Sequence, residues 1–93
     1  MYGTVRVYSG NGGLAEQLAE NESEVKELLN GIDGFKAYYL IKTDGGTASI
    51  SVYETEGGAD ESNQAAAAWI KERLPNLEVP APQILAGEVV IDA

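Results

Sequence analysis

The chain has 93 residues, with 15 acidic and 6 basic side chains, a net charge of −9, and neither cysteine nor histidine. This excludes disulfides, thiolate nucleophiles, iron–sulfur clusters and histidine-ligated zinc or haem, and the acidic charge argues against nucleic acid and anionic membranes as partners. The length predicts one domain, residues 1–93, with a core thin enough for oligomerisation to help. We expect a cytoplasmic protein, since there is no disulfide, no leader pattern and no apolar run of about 18 residues.

Alternation over residues 2–8 predicts a first strand. One side of it carries Val5 and Val7, and the other carries Thr4, Arg6 and Tyr8. The glycine-rich segment 9–13 interrupts this pattern. Apolar residues then recur at helical spacing, which predicts a helix over about 14–30. A break at Asn21, near its middle, would make that residue a helix cap paired with Glu24.

The hairpin over residues 35–54 is the most informative part of the chain. Its turn is the three-residue sequence Asp44-Gly45-Gly46, between strands predicted over 35–43 and 47–54. Neither face of the second strand carries lysine or glutamate within the alternating stripes, although such charges are common on strand faces in water. The apolar stripe is Ala48, Ile50 and Val52, and the hydroxyl and aromatic stripe is Thr47, Ser49, Ser51 and Tyr53. We therefore expect both faces to be covered.

A second helix is predicted over 63–74, with Asp60 as its N-cap and Pro75 as its end. Asn63 is either a polar site residue or part of the chemistry of the first helical turn. The prolines that follow predict an extended connector, and the last strand is predicted over 84–91.

This order predicts an α+β, ferredoxin-like βαββαβ fold: a four-stranded antiparallel sheet in order 4-1-3-2, with both helices on one face. The residues predicted to meet the helices are Val5, Val7, Tyr38, Leu40, Ala48, Ile50 and Val52. The residues predicted on the uncovered face are Thr4, Arg6, Tyr8, Phe35, Ala37, Tyr39, Ile41, Thr47, Ser49, Ser51, Tyr53 and parts of the last strand, 84–91. A second copy is expected to cover that face, giving a homodimer with its sheets back to back and a cavity between them.

Three features carry a resemblance to a known family: the βαββαβ order, the Gly34-Phe35 entry into the second strand and the glycine-marked hairpin. With them, the chain resembles the dimeric α/β-barrel superfamily, and within it the antibiotic-biosynthesis-monooxygenase-like domains. The likeness covers nearly the whole chain. Trp69 is similar to a tryptophan that some of these enzymes place near their substrate. The resemblance implies oxygenation without a cofactor, in which the substrate supplies the reducing power as a stabilised anion. Other members, including those that bind or degrade haem, rely on a histidine, which this chain lacks.

The candidate ligand-binding residues are Arg6, Tyr8, Tyr39, Ser49, Ser51, Tyr53 and Trp69. Arg6 either clamps a carboxylate, phenolate or enolate or forms an ion pair with Glu88 on the neighbouring last strand. The tyrosines either donate hydrogen bonds to a ligand or fill a core or interface, and Trp69 either walls a cavity or plugs the core. Ser49 and Ser51 have no histidine base, so a nucleophilic triad is not expected. No metal site and no cofactor are predicted.

The leading hypothesis for function is a homodimer that binds a small aromatic or polyketide-like molecule, whose polar end is fixed by Arg6 and the tyrosines. Catalysis of a cofactor-free oxygenation is the activity that the resemblance implies. The first alternative is a non-catalytic dimer in which the hydroxyl face is a packed interface. The second is an accessory or regulatory subunit of a larger assembly.

Overall fold

A computed structural model of the protein describes residues 1–10, 13–77 and 79–93. Its elements are β1 (Tyr2–Ser9), α1 (Leu14–Glu20), α2 (Glu22–Asn30), β2 (Phe35–Thr43), β3 (Gly46–Tyr53), α3 (Glu56–Arg73) and β4 (Gln83–Glu88). The strands form one antiparallel sheet in the order β2-β3-β1-β4, which is the predicted order 4-1-3-2 counted from the other edge. The predicted ferredoxin-like topology is therefore confirmed. Two residues of the predicted break after β1, Asn11 and Gly12, lie outside the described residues, as does Glu78 in the connector.

The helical region before β2 is broken at Asn21, as the alternative interpretation of the sequence allowed. The backbone N–H of Asn21 donates to the carbonyl oxygens of Gln17 and Leu18, and its side-chain amide donates to Gln17 at 2.8 Å. The side chain therefore ends α1, and it makes no capping hydrogen bond to α2. The predicted cap pairing between Asn21 and Glu24 is wrong for this reason.

The helix after the hairpin begins earlier than predicted. Thr55 is its N-cap and accepts a hydrogen bond from the backbone N–H of Gly58 at 3.4 Å. The expected N-cap, Asp60, lies inside the helix instead. Gly58 is buried against β3, where an added Cβ would lie 3.0 Å from the Cβ of Tyr53, so glycine allows the close approach of helix and strand. The predicted end before Pro75 is confirmed, because α3 stops at Arg73.

The prediction of which sheet face meets the helices is wrong for β1 and β3. The polar and aromatic residues of these strands are buried beneath the helices, and they form, with two residues of β2, what we call the helix-side face. Its members are Thr4, Arg6, Tyr8, Tyr38, Leu40, Thr47, Ser49, Ser51 and Tyr53. The opposite face, called here the open face, carries Val5, Val7, Ala37, Tyr39, Ile41, Ala48, Ile50, Val52 and Leu85. For β2 the predicted sides of Tyr38 and Tyr39 are right.

The length of the hairpin loop explains this exchange. Thr43 pairs with Gly46, so the loop has two residues instead of three, and Tyr38 lies opposite Ser51. A change of one residue in a hairpin register moves every side chain of the strand to the other face. Gly46 can pair within the strand because it has no side chain. A Cβ at this position would overlap the carbonyl oxygen of Tyr8 on β1. Phe35 also differs from the prediction, because a register shift after it turns its ring toward Tyr53, with centroids 5.8 Å apart.

The open face is apolar and uncovered within the protomer. Several of its large side chains are exposed, including Val7, Tyr39, Ile41 and Leu85. Below the helices, by contrast, two apolar clusters form the core, one around Tyr8, Leu14, Leu18 and Trp69 and one around Leu29, Ile32, Tyr53 and Ala59. None of the helices in the described ranges combines the length and apolarity needed to span a bilayer.

Candidate functional site

Arg6 is the most unusual residue of the helix-side face, because its guanidinium group is buried without a carboxylate partner. Only 4% of the residue is exposed. Its Nη1 atom donates to the side-chain oxygen of Asn63 on α3 at 2.7 Å, and the amide nitrogen of Asn63 donates to Thr4 Oγ1 at 3.2 Å. The Nε atom of Arg6 has no hydrogen-bond partner. The strand and the helix thus hold the cation in place through a neutral amide.

The predicted ion pair between Arg6 and Glu88 is not formed. The antiparallel register of β1 and β4 places Ile84 opposite Arg6 and places Glu88 opposite Tyr2, four residue pairs further along the strands. Among the described residues, no carboxylate lies within ion-pair distance of Arg6. The alternative in which Arg6 is a structural ion pair is therefore wrong.

A small space, called here the inner cavity, is lined by Arg6 and by residues of the helices. Its volume is about 30 Å³, which is enough for one water-sized group. Most of its walls are aliphatic or aromatic, and the polar residues among them are Arg6 and Ser49, with the phenol of Tyr38. Ser49 Oγ, like Arg6 Nε, is buried without a hydrogen-bond partner. Two of the residues that line the inner cavity therefore carry a buried polar atom without a hydrogen-bond partner.

A larger space, called here the outer groove, opens on the other side of Arg6. Its volume is about 660 Å³, within the range of roughly 300–1,000 Å³ that is usual for small-molecule sites. It is bounded by α3, the proline-containing segment after it and the start of β4, and its apolar walls include Ile70, Leu74, Pro80 and Ile84. Arg6, Tyr8 and Ile70 border both spaces. The guanidinium group thus lies where the groove meets the inner cavity.

Trp69 is held in the wall of the inner cavity by a carboxylate that the sequence did not single out as a site residue. Its indole Nε1 donates to Glu24 Oε1 at 3.2 Å, and the same oxygen accepts from Arg73 at 2.7 Å. Glu24 belongs to α2, whereas Trp69 and Arg73 belong to α3 four residues apart. This link fixes the indole and ties the two helices together. The spacing of Trp69 and Arg73 was visible in the sequence, but nothing there indicated that α2 supplies the acceptor.

Burial raises the pKa of the Tyr38 phenol, and the nearby positive charge of Arg6 opposes that shift in part. Tyr38 is therefore a neutral phenol at neutral pH, able to donate a hydrogen bond beside the inner cavity. The sequence assigned it only to the core. Its cross-strand neighbour Ser51 and the next residue on that face, Tyr53, are fully buried but border neither space, and their hydroxyl groups have no partner.

The structure brings together four of the seven predicted site residues, Arg6, Tyr8, Ser49 and Trp69, around the inner cavity. Tyr39 lies on the open face, where 64% of it is exposed, so it cannot share a ligand with the others. The predicted cavity between two sheets cannot contain Arg6 or Ser49, because both point toward the helices of their own protomer. Asn63 is a hydrogen-bond partner of Arg6, well inside α3 instead of in its first turn.

The arrangement offers a fixed cation, phenols, an indole and apolar walls. Such groups can bind and orient a molecule with a polar end and can stabilise negative charge on it. In the described ranges, no group of three acidic side chains is placed to hold a metal ion, and no carboxylate borders the inner cavity or the outer groove.

No protein-family model and no curated protein matches the sequence, but solved structures match the fold. MhuD, a haem degrader of Mycobacterium tuberculosis solved with two haems in its active site, has 16% identity and a TM-score of 0.70, covering 100% of this chain and 99% of its own. A monooxygenase from the gene ActVA-Orf6 of Streptomyces coelicolor, in complex with nanaomycin D, has 17% identity and a TM-score of 0.62, covering 98% and 91%. A dimeric ferredoxin-like protein from an uncultured marine organism has 12% identity and a TM-score of 0.69, covering 99% and 95%.

Antibiotic biosynthesis monooxygenase candidates from Nitrosomonas europaea and Deinococcus radiodurans share the fold as well. The resemblance inferred from the sequence is therefore confirmed at the level of the fold. At 12–17% identity, these likenesses establish the fold alone.

Proposed function

We propose that the protein is a homodimer that binds a small aromatic or polyketide-like molecule in the outer groove of each protomer. The observation that supports this most strongly is the combination of a groove of ligand size with a buried, unpaired guanidinium group at its inner end. Ligand sites are typically apolar spaces with a few fixed polar groups. Here Arg6 and Tyr8 are those groups, and α3 with the proline-containing segment supplies the apolar walls.

The homodimer is supported by the open face. An apolar surface that carries exposed Val7, Tyr39, Ile41 and Leu85 is unusual on a monomer, and a stable interface needs about 1,600 Å² in total. The dimeric ferredoxin-like protein with the same fold supports a dimer, and the position of the open face favours a pairing of the two sheets back to back. Such a pairing leaves the outer groove accessible, because the groove lies on the other side of the sheet. The cytoplasmic location stays a prediction.

Cofactor-free oxygenation is the finer proposal for what happens to the ligand. The site has a cation able to stabilise a substrate anion, which would itself supply the electrons that reduce dioxygen, while the protein supplies position and electrostatics. The Streptomyces coelicolor monooxygenase, which binds nanaomycin D in the same fold, supports this choice. The non-catalytic alternative, a structural or regulatory accessory protein, is favoured by one observation: the described part of the chain places no carboxylate at the site, and the sequence has no histidine to act as a general base.

Binding is tested by titrating the protein with nanaomycin D and following the emission of Trp69, which is the only tryptophan of the chain. We expect a saturable change in emission and a higher Tm, since a ligand at 100 times its Kd stabilises a protein by about 2.7 kcal/mol. Ala67→Phe places a ring in the groove and should weaken binding at least tenfold. Ala68→Phe is the matched control, because Ala68 is exposed on the same helix but does not line the groove.

Equal binding by the two phenylalanine variants would contradict the location of the site. No binding of nanaomycin D or of other fused-ring aromatic compounds would contradict the proposed ligand class. Dioxygen uptake measured with the bound compounds then separates the two versions of the proposal, because the non-catalytic protein consumes none.

A further inference from the structure

The charges around the outer groove are unbalanced in one direction. The chain has six basic residues, and four of them form ion pairs: Lys26, Lys36, Lys42 and Arg73. The other two, Arg6 and Lys71, both line the outer groove. None of the acidic side chains in the described ranges lines it, and neither Arg6 nor Lys71 has an ion-pair partner among those residues. A protein with a net charge of −9 therefore keeps two of its cations at one apolar groove.

Burial makes this imbalance costly at Arg6. A buried charge normally has a partner of opposite charge, because desolvation strongly disfavours an isolated ion. Asn63 contributes one dipole but no charge, and Arg6 Nε has no partner. Among the described residues, none supplies the missing negative charge.

The inner cavity is the place where that charge fits. It borders Arg6 and Ser49, whose Nε and Oγ atoms both lack partners, and it also borders the Tyr38 phenol. Its volume of about 30 Å³ suits one oxygen atom or a very small ion, not a whole organic molecule. The body of a larger ligand has room only in the outer groove.

We propose that the inner cavity is an oxyanion site, which receives the ionised oxygen of a carboxylate or phenolate whose apolar body lies in the outer groove. The inference about the body rests on the proposed function, whereas the anion site stands without it. Arg6 is the charge partner of the oxyanion, Ser49 and Tyr38 are hydrogen-bond donors, and Lys71 at the exposed rim attracts anions to the groove. The unliganded protein therefore carries a destabilising charge that its ligand neutralises.

The first test compares acids with their neutral isosteres on the unmodified protein. The probes are 1-naphthoate against methyl 1-naphthoate, and 4-nitrophenolate against 4-nitroanisole, with binding followed by Trp69 emission and Tm at constant ionic strength. We expect each anion to bind at least tenfold more tightly than its neutral isostere. The tighter of the two anions identifies the source of the oxyanion, carboxylate or phenolate. Equal affinities within both pairs would overturn the proposal.

The second test removes the charge and, separately, the space. Arg6→Met should abolish the preference for anions, and it should raise the Tm of the unliganded protein by about 4–8 °C, because an uncompensated buried charge is lost. Ser49→Val fills the inner cavity but keeps Arg6, so it should lower anion affinity at least tenfold and leave the affinity for methyl 1-naphthoate unchanged. A preference for anions that survives in both variants would refute the site.

Sodium formate separates this inference from the proposed function. Formate is small enough to approach the inner cavity without an apolar body, so it should raise the Tm of the unmodified protein but not that of Arg6→Met. If formate does so while no aromatic compound binds, the oxyanion site stands and the proposed ligand class fails. If aromatic compounds bind without regard to charge and formate has no effect, the ligand class stands and the oxyanion site fails.

Discussion

The two faces of the sheet invert the usual distribution of side chains. The helix-side face, buried beneath the helices, carries an arginine, tyrosines and hydroxyl groups, whereas the open face carries valine, isoleucine and leucine and is exposed in the protomer. Burial of polar groups is expensive when they lack partners, and exposure of a continuous apolar face is rare in monomers. Each face is therefore unfavourable in the isolated chain, and this is the reason for proposing a ligand on one face and a second subunit on the other.

The largest effect is expected from a charge placed on the open face, which tests whether a second subunit covers it. Ile41→Lys should weaken the homodimer by at least about 2 kcal/mol, roughly 30-fold in its dissociation constant, because a lysine would be desolvated within the proposed interface. Gln64→Lys is the control, since it makes the same change of charge on an exposed position of α3. Sedimentation equilibrium at micromolar concentration measures both. If the unmodified protein sediments as a monomer, the inferred role of the open face is wrong.

A second prediction concerns two neighbouring hydroxyl groups of the helix-side face. Ser51 Oγ has no partner, so Ser51→Ala should change the free energy of unfolding by less than about 0.5 kcal/mol or increase it. Thr4, paired with Ser51 across the strands, bonds to Asn63, so Thr4→Val should cost about 1 kcal/mol. Urea denaturation compares the two. A larger loss for Ser51→Ala would mean that Ser51 has a hydrogen bond that the structure does not show.

The smallest effect is expected in alkaline solution. Burial raises the pKa of Tyr38 above its usual value of 10.0, so the unfolded chain loses this proton first as the pH rises. The contribution to stability is complete below about pH 10 and is lost as the pH rises through the folded pKa. Tyr38→Phe should therefore flatten the decline of Tm above pH 10.

The decline should not vanish in that variant, because Tyr2 has a pKa raised chiefly by its hydrogen bond with Glu56. Tyr39→Phe, on the open face, controls for the loss of one phenol. An unchanged decline in Tyr38→Phe would show that the phenol of Tyr38 is not buried in solution.

The topology of this protein follows from its sequence more securely than the orientation of its sheet. The alternation in residues 2–8 and the turn glycines define strands whose order has few solutions. The two stripes of β3 are equally free of charge, so hydropathy alone assigns the apolar one to the helices. Which stripe faces the helices depends on whether Gly46 belongs to the loop or to the strand. The place of Gly46 depends in turn on its close approach to the carbonyl oxygen of Tyr8, a residue distant in sequence.

The residues of the candidate site, like the orientation of the sheet, could be predicted from the sequence only in part. Arg6, Tyr8 and Ser49 are predictable because polar residues share a stripe, and register keeps such residues together whichever way the sheet faces. The prediction for Tyr39 is wrong because it joins β2 to β3 through a loop that is one residue too long. Glu24 shows no sign of its role in the sequence, because its partner Trp69 is 45 residues away and is reached only by the packing of α2 on α3.

The prolines that line the outer groove restrict the backbone of one of its walls. Pro75, Pro80 and Pro82 all face this space, and each restricts the backbone dihedral at its position. A wall built in this way loses little conformational entropy when it is occupied, so more of the interaction energy is expressed as affinity. Association should accordingly proceed in a single kinetic phase, with no slow closing step after the encounter.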